Sequence, residues 1–192
     1  ADRAFVAERE TSAAELGTLA DLQGEAPSVA PHLVANALAA AALARAHGVP
    51  PVAVRDGLRA WQPEPHRIAH LASAGEVHWI DDSKATNPHA ALASLTSHEH
   101  VVWVAGGLLK GADVDELVAA AAGRLRAAVL IGRDREQIAA AIARHAPDVP
   151  VIDVAATDTG AMDLVVRHAA TLAVPGDVVL LSPAAASLDM FP

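Results

Sequence analysis

Two carboxylates, an ammonium group, two hydroxyls and an amide are crowded into Asp81-Asp82-Ser83-Lys84-Ala85-Thr86-Asn87, with Pro88 next. A β-branched run, Val77–Ile80, precedes them and a helical pattern follows. Backbone amides at a helix start attract anions, so this turn can hold phosphate or carboxylate groups. Thr86 or Asn87 can equally cap the helix, and polar strand-to-helix turns arise for that reason alone. Spacing leaves both readings open. A second candidate is Gly106-Gly107-Leu108-Leu109-Lys110-Gly111-Ala112-Asp113, where paired glycines permit a tight turn and Lys110 supplies a flexible point charge. It matches neither the G-x-x-x-x-G-K-[ST] phosphate loop nor the dinucleotide fingerprint, and Asp113 reads as a cap for the next helix. The third is Leu180-Leu181-Ser182-Pro183-Ala184-Ala185-Ala186-Ser187-Leu188-Asp189-Met190-Phe191, whose small residues leave backbone amides approachable or simply pack tightly. The fourth is Pro65-His66-Arg67, whose guanidinium can fork onto phosphate oxygens or stay solvated.

Other chemistries fit less well. Of the ten histidines, His98 and His100 lie in a loop pattern. His66 and His70 have a His-x-x-x-His interval, but in an extended stretch and without the following Glu of a metalloprotease. We therefore assign no metal ligand. No G-x-S-x-G elbow is present for a serine hydrolase. A net charge of −9 without a Lys/Arg cluster argues against nucleic-acid binding. No cysteine is present, which removes thiol and disulfide chemistry and fits a reducing cytoplasm. The longest apolar runs, such as Ala37–Ala44, are too short for membrane insertion, and Ala1-Asp2-Arg3 reads as the interior of a longer polypeptide.

The elements that must carry these turns follow from periodicity. A short strand is expected at Ala4–Ala7, and residues 1–30 otherwise show no clear pattern. His32–His47 is an Ala-rich helix closed by Gly48, and Pro51–Ala60 is a second, with proline suited to its first turn. Trp61-Gln62-Pro63-Glu64-Pro65 breaks any helix and marks a domain boundary. Beyond it, β-branched runs at Val77–Ile80, Val101–Ala105, Ala127–Gly132, Val151–Val154 and Val178–Ser182 alternate with helical segments at Pro88–Ser97, Asp113–Ala122, Asp134–His145 and Thr159–Ala173. His66–Leu71 is expected as an edge strand. This alternation predicts an α/β fold, a Rossmann-like, doubly wound, mostly parallel sheet. Such sheets bind ligands beyond the carboxyl ends of their strands. The loops after Ile80, Ala105, Gly132, Val154 and Leu181 should therefore share one rim.

Taken in order, the four segments resemble those of the Mur ligases, and within them the branch that adds D-glutamate to UDP-N-acetylmuramoyl-L-alanine. Asp82-Ser83-Lys84-Ala85-Thr86-Asn87 is similar to that branch's signature, Pro65-His66-Arg67 stands at the expected distance before it, and Leu181–Phe191 is similar to the carboxyl-terminal motif. Asn36 and the Ala-rich helix around it resemble the end of the family's central ATPase domain. The resemblance covers about the whole chain. It implies that residues 1–63 are the carboxyl-terminal remnant of the central ATP-binding domain, and residues 64–192 a ligase domain truncated at its end.

The resemblance also implies roles. Asn36 contacts adenine, Arg67 binds nucleotide and Asp82 holds the ribose. Lys84, Thr86 and Lys110 stand near the nucleotide and the incoming D-glutamate, with Lys84 and Lys110 as catalytic cations. Ser187 and the backbone of Leu188 hold the side-chain carboxylate of D-glutamate. ATP and Mg2+ are the implied cofactors, with the metal ligands, the phosphate loop and the UDP-sugar domain expected outside this chain. The chain alone is expected to be an inactive, monomeric, cytoplasmic piece of the enzyme. Two other readings stand beside this one: a sibling Mur or folylpolyglutamate ligase, and a non-catalytic nucleotide- or amino-acid-binding module on the same kind of sheet.

Overall fold

A computed structural model describes residues 5–9, 13–23, 29, 31–62, 64–155 and 160–186. The chain divides into two compact units, Ala1–Pro63 and Glu64–Pro192.

The first unit opens with an antiparallel pair, β1 (Phe5–Arg9) and β2 (Ala13–Thr18). The second of these strands had no counterpart in the sequence pattern. Helix α1 (Leu19–Gln23) starts with a reciprocal cap: the Thr18 N–H donates to Asp21 Oδ2 at 2.8 Å, and the Asp21 N–H donates to Thr18 Oγ1 at 3.1 Å. Helices α2 (Pro31–Ala46) and α3 (Pro51–Ala60) follow. Gly48, at φ +88°, turns the chain out of α2, and Pro51 opens α3. The core is small, built on Leu16, Ala41 and Val54 with Leu58 against it.

In the second unit the strands are β3 (Ala69–Ala74), β4 (Val77–Asp81), β5 (Val101–Gly106), β6 (Leu125–Ile131), β7 (Val151–Asp153) and β8 (Val178–Leu181). Their order in the sheet is β3-β4-β8-β5-β6-β7. All neighbouring pairs are parallel except β3-β4. Helices α4 (Pro88–Leu95), α5 (Asp115–Ala121) and α6 (Arg135–His145) pack on one face, around Trp103, Leu130, Leu95 and Ile138. Helix α7 (Ala161–Leu172) covers the other, against Val102, Val104 and Val129. The steps from β5 to β6 and β6 to β7 run one way across the sheet. The return from β7 to β8 runs the other way, and a right-handed crossover then requires α7 on the opposite face. The last strand enters the middle of the sheet, so β5 is buried along its whole length.

Of the boundaries that differ from expectation, two lie next to the polar turns. The edge strand runs over Ala69–Ala74 and not from His66, because His66 (φ +68°) and Ile68 (φ +49°) are left-handed and cannot lie in a strand. Helix α5 begins at Asp115, not Asp113. The Asp113 side chain instead accepts the Asp115 N–H at 2.8 Å, closing a turn ahead of the helix.

Past the end of α4, His98 is buried, and its Nε2 has no hydrogen-bond partner among the described residues. Burial lowers this imidazole from 6.5 to about 4, with His78 and Arg124 pushing the same way. The folded protein therefore keeps the ring neutral where the unfolded chain takes up a proton. Stability from this site is complete above about pH 6.5 and falls as pH drops toward 4, by up to about 3 kcal/mol. Denaturant midpoints at pH 7 and 4.5 should separate more for the wild type than for His98→Gln. Equal separation would show that another group controls acid stability.

Candidate active site

The five parallel strands end at one edge of the sheet, and the loops after β4, β5, β6 and β8 are laced together by hydrogen bonds. The Asp82 N–H donates to the Leu181 carbonyl at 2.8 Å, and Ala184 N–H to Ala85 at 2.9 Å, joining the loop after β4 to the loop after β8. Gly106 N–H donates to Pro183 at 2.9 Å and Leu108 N–H to Ala186 at 2.8 Å, joining the latter to the loop after β5. Asp134, from the loop after β6, accepts the Leu109 N–H at 2.7 Å and donates its own N–H to Gly107 at 2.9 Å. These bonds hold the polar turns of β4, β5 and β8 on a common rim.

The expected residues up to Lys110 can be placed. Lys84 and Thr86 are exposed on the β4 loop, and Lys110 is exposed on the β5 loop at φ +54°. Asn87 caps α4 by accepting the Ala90 N–H at 2.9 Å. Arg67 lies beside the β4 loop, to which its segment is tied by Lys84 N–H donating to the His66 carbonyl at 3.1 Å. Asp82, implied to hold a ribose, is 7% exposed, and its carboxylate accepts from the Ile68 N–H at 3.2 Å and from the Ser94 hydroxyl. Asn36 belongs to the first unit. It is exposed on α2 and lines a hollow of about 230 Å³ with Leu22, Leu33, Leu58 and Trp61. Ser187 and Leu188 lie outside the described residues; the neighbouring Ala186 is paired to Leu108, two positions before Lys110.

Glu64 Oε2 meets both Arg67 Nε at 3.2 Å and Lys84 Nζ at 3.3 Å, so two cations converge on one anionic oxygen. Hydrogen bonds from Lys84 and Arg67, reinforced by their charges, hold the Glu64 carboxyl below its ordinary range. Phosphate oxygens match that donor set. Burial raises the Asp81 carboxyl, but hydrogen bonds from His66 and Ser83 outweigh it and leave it lowered. The ionised Asp81 accepts from His66 Nδ1 at 2.6 Å and from the Ser83 N–H at 2.9 Å. Among the described residues no group of three or more His, Asp or Glu side chains could hold a metal ion.

Three residues of this network escaped the sequence reading as functional groups, Glu64, Ser94 and Asp134, as did the pairing of Asp81 with His66. Ser94 left a faint signal as a hydroxyl inside an otherwise Ala/Leu-rich helix. The others required knowing which loops meet.

The sequence profile of the Mur ligase glutamate ligase domain matches residues 66–185. The chain belongs to the Mur ligase family. Among curated relatives of this family, the UDP-N-acetylmuramoylalanine–D-glutamate ligase of Thermobifida fusca is 64% identical over 190 residues, covering 99% of this chain and 40% of its own length. That of Streptomyces avermitilis is 62% identical with the same coverage. The chain thus spans about two fifths of the relatives it matches. Solved structures share the fold: a pseudomurein peptide ligase type C from Methanothermus fervidus superposes with a TM-score of 0.62 at 17% identity, over 94% of this chain and 37% of that one. A Mycobacterium tuberculosis folylpolyglutamate synthase gives 0.57 at 22% identity, over 96% of this chain and 45% of that one. Among the described residues, no helix is long and apolar enough to cross a membrane.

Proposed function

We propose that this chain is the amino-acid-adding end of an ATP-dependent, amide-bond-forming ligase that joins D-glutamate to UDP-N-acetylmuramoyl-L-alanine in peptidoglycan precursor synthesis. The observation that carries this reading is the lacing of three separate polar turns into one strand-end rim bearing Lys84, Thr86 and Lys110. The kinship with named D-glutamate ligases at 64% identity supports the choice of amino acid. In this reading residues 1–63 are the end of the central ATP-binding domain and the second unit is the ligase domain. In the same reading the enzyme works as a monomer in the cytoplasm.

ATP, when bound, supplies the phosphoryl group that activates the carboxylate of the acceptor. Arg67 and Lys84 hold phosphate oxygens, as their convergence on Glu64 Oε2 permits. Asn36 meets the adenine and Asp82 borders the ribose. Magnesium would be held by residues outside this chain. Lys110, Thr86, Ser187 and the Leu188 backbone bind the two carboxylates of D-glutamate, directing its amine at the activated carbonyl. Charge-assisted hydrogen bonds of this kind contribute roughly 1.5–3 kcal/mol each. Positioning the amine against the activated carbonyl is itself a large source of rate.

The test is a graft: these 192 residues replace the matching 40% of the Thermobifida fusca relative. The graft should show ATP-dependent incorporation of D-glutamate in preference to L-glutamate, L-alanine and diaminopimelate, while the 192-residue chain alone turns over nothing. A folded graft that prefers another amino acid would assign the chain to a sibling ligase. A folded graft that couples none would leave it a binding module.

A further inference from the structure

Arg67 is flanked by two residues in a conformation they do not choose. His66 is at φ +68° and Ile68 at φ +49°. For a β-branched residue such as Ile68 the left-handed region is a true outlier, and it persists only where surrounding contacts over-determine it. Three such contacts are visible. The His66 ring pairs with Asp81 Oδ2 at 2.6 Å, the His66 carbonyl accepts the Lys84 N–H at 3.1 Å, and the Ile68 N–H donates to Asp82 Oδ1 at 3.2 Å. Asp82 is itself held from within the core. Its Oδ2 accepts the hydroxyl of Ser94, a residue 1% exposed on α4 among Ala91 and Leu95. A hydroxyl buried on an apolar helix face costs free energy unless it is bonded, so its pairing with Asp82 accounts for its presence.

We propose that Ser94 is a positioning residue for nucleotide binding. Through Asp82 it fixes the Ile68 backbone, and so holds Arg67 over the Lys84 turn without touching ligand. This rests on the ligase reading above. Asp82 then acts as a strut between α4 and the Pro65–Ile68 segment as well as bordering the ribose.

Two measurements test this. In the 192-residue chain, the Ile68 amide of Ser94→Ala should exchange with solvent at least about tenfold faster than in the wild type. In the graft, Ser94→Ala should raise KM for ATP about fivefold or more, with kcat and KM for D-glutamate changed less than about twofold. Ala91→Gly, on the same buried helix face but with no polar partner, should lower the melting temperature and leave both readouts alone. If Ser94→Ala does not fold, Asp82→Asn is expected to speed Ile68 exchange in its place. Fast Ile68 exchange with an unchanged ATP KM would overturn the positioning role, and a protected Ile68 would overturn the strut. A folded wild-type graft that fails to couple D-glutamate counts against the ligase reading alone. Affinity for a fluorescent ATP analogue, compared between wild type and Ser94→Ala, then replaces KM in deciding the same question.

Discussion

Alanine at position 106 should prevent the second unit from reaching its native structure. Gly106 ends β5 at φ +128°, a conformation that side chains other than glycine rarely adopt. A Cβ there would lie 1.8 Å from the Ile131 carbonyl oxygen and 2.8 Å from its carbon. Both are backbone atoms of β6, buried on each side, so neither can swing away. The strain also falls where the Gly106 N–H is bonded to Pro183 and the chain turns toward Lys110. Relief requires parting β5 from β6 or flipping the turn, and either unlaces the rim. We expect Gly106→Ala to be insoluble or to melt at least about 10 °C below wild type. Gly111→Ala is the matched control. At φ +82° it is also left-handed, but nothing lies within 4 Å of the added carbon. It should cost only about 1 kcal/mol. Thermal melts followed by circular dichroism distinguish the two, and a wild-type melt for Gly106→Ala would mean that the β5–β6 register is wrong.

Lys110→Ala should raise KM for D-glutamate in the graft by roughly ten- to a hundredfold, the equivalent of one lost charge-assisted hydrogen bond. Lys110 is exposed on the same loop, and its backbone is already set by Leu108 pairing with Ala186 and by Leu109 bonding to Asp134. The substitution therefore removes the charge without unseating the turn. The contrasting variant is Leu109→Ala. Leu109 is 5% exposed within the main core cluster, so its truncation should cost about 2–5 kcal/mol of stability. Its effect on KM at a temperature where the protein is folded should be small. Initial rates across a D-glutamate titration check both. An unchanged KM in Lys110→Ala removes this side chain from the amino-acid site.

Much of the fold was legible before any coordinates. Helix α3 lies over Pro51–Ala60 as its prolines and apolar spacing require, and α6 over Arg135–His145 within one residue of the expected start. Each parallel strand overlaps its apolar run; central strands such as β5, buried on both faces, must be apolar throughout and so stand out between Ala-rich helices. Errors came where tertiary contacts overrule local preference. Residues 66–68 look extended in sequence, yet His66 and Ile68 are pulled into left-handed conformations by Asp81 and Asp82. The hairpin partner Ala13–Thr18 is too mixed in composition to show a period of two.

For the site, residue types and spacing marked the polar turns as candidates, since a parallel sheet places every strand's carboxyl end on one edge and unusual residues there stand out against an apolar background, while the family resemblance gave their residues roles. Only the tertiary structure decided how those turns are held. Which strand sits beside which, and hence that Ala184 bonds to Ala85 and Asp134 to Leu109, depends on the order β4-β8-β5-β6, where the last strand enters the centre of the sheet. The inward turn of the Asp82 carboxylate toward Ser94 and Ile68 depends on the same packing. Periodicity reports how much of an element is buried, whereas the partner of a buried polar atom is set by neighbours distant in the chain, and a linear pattern carries no record of them.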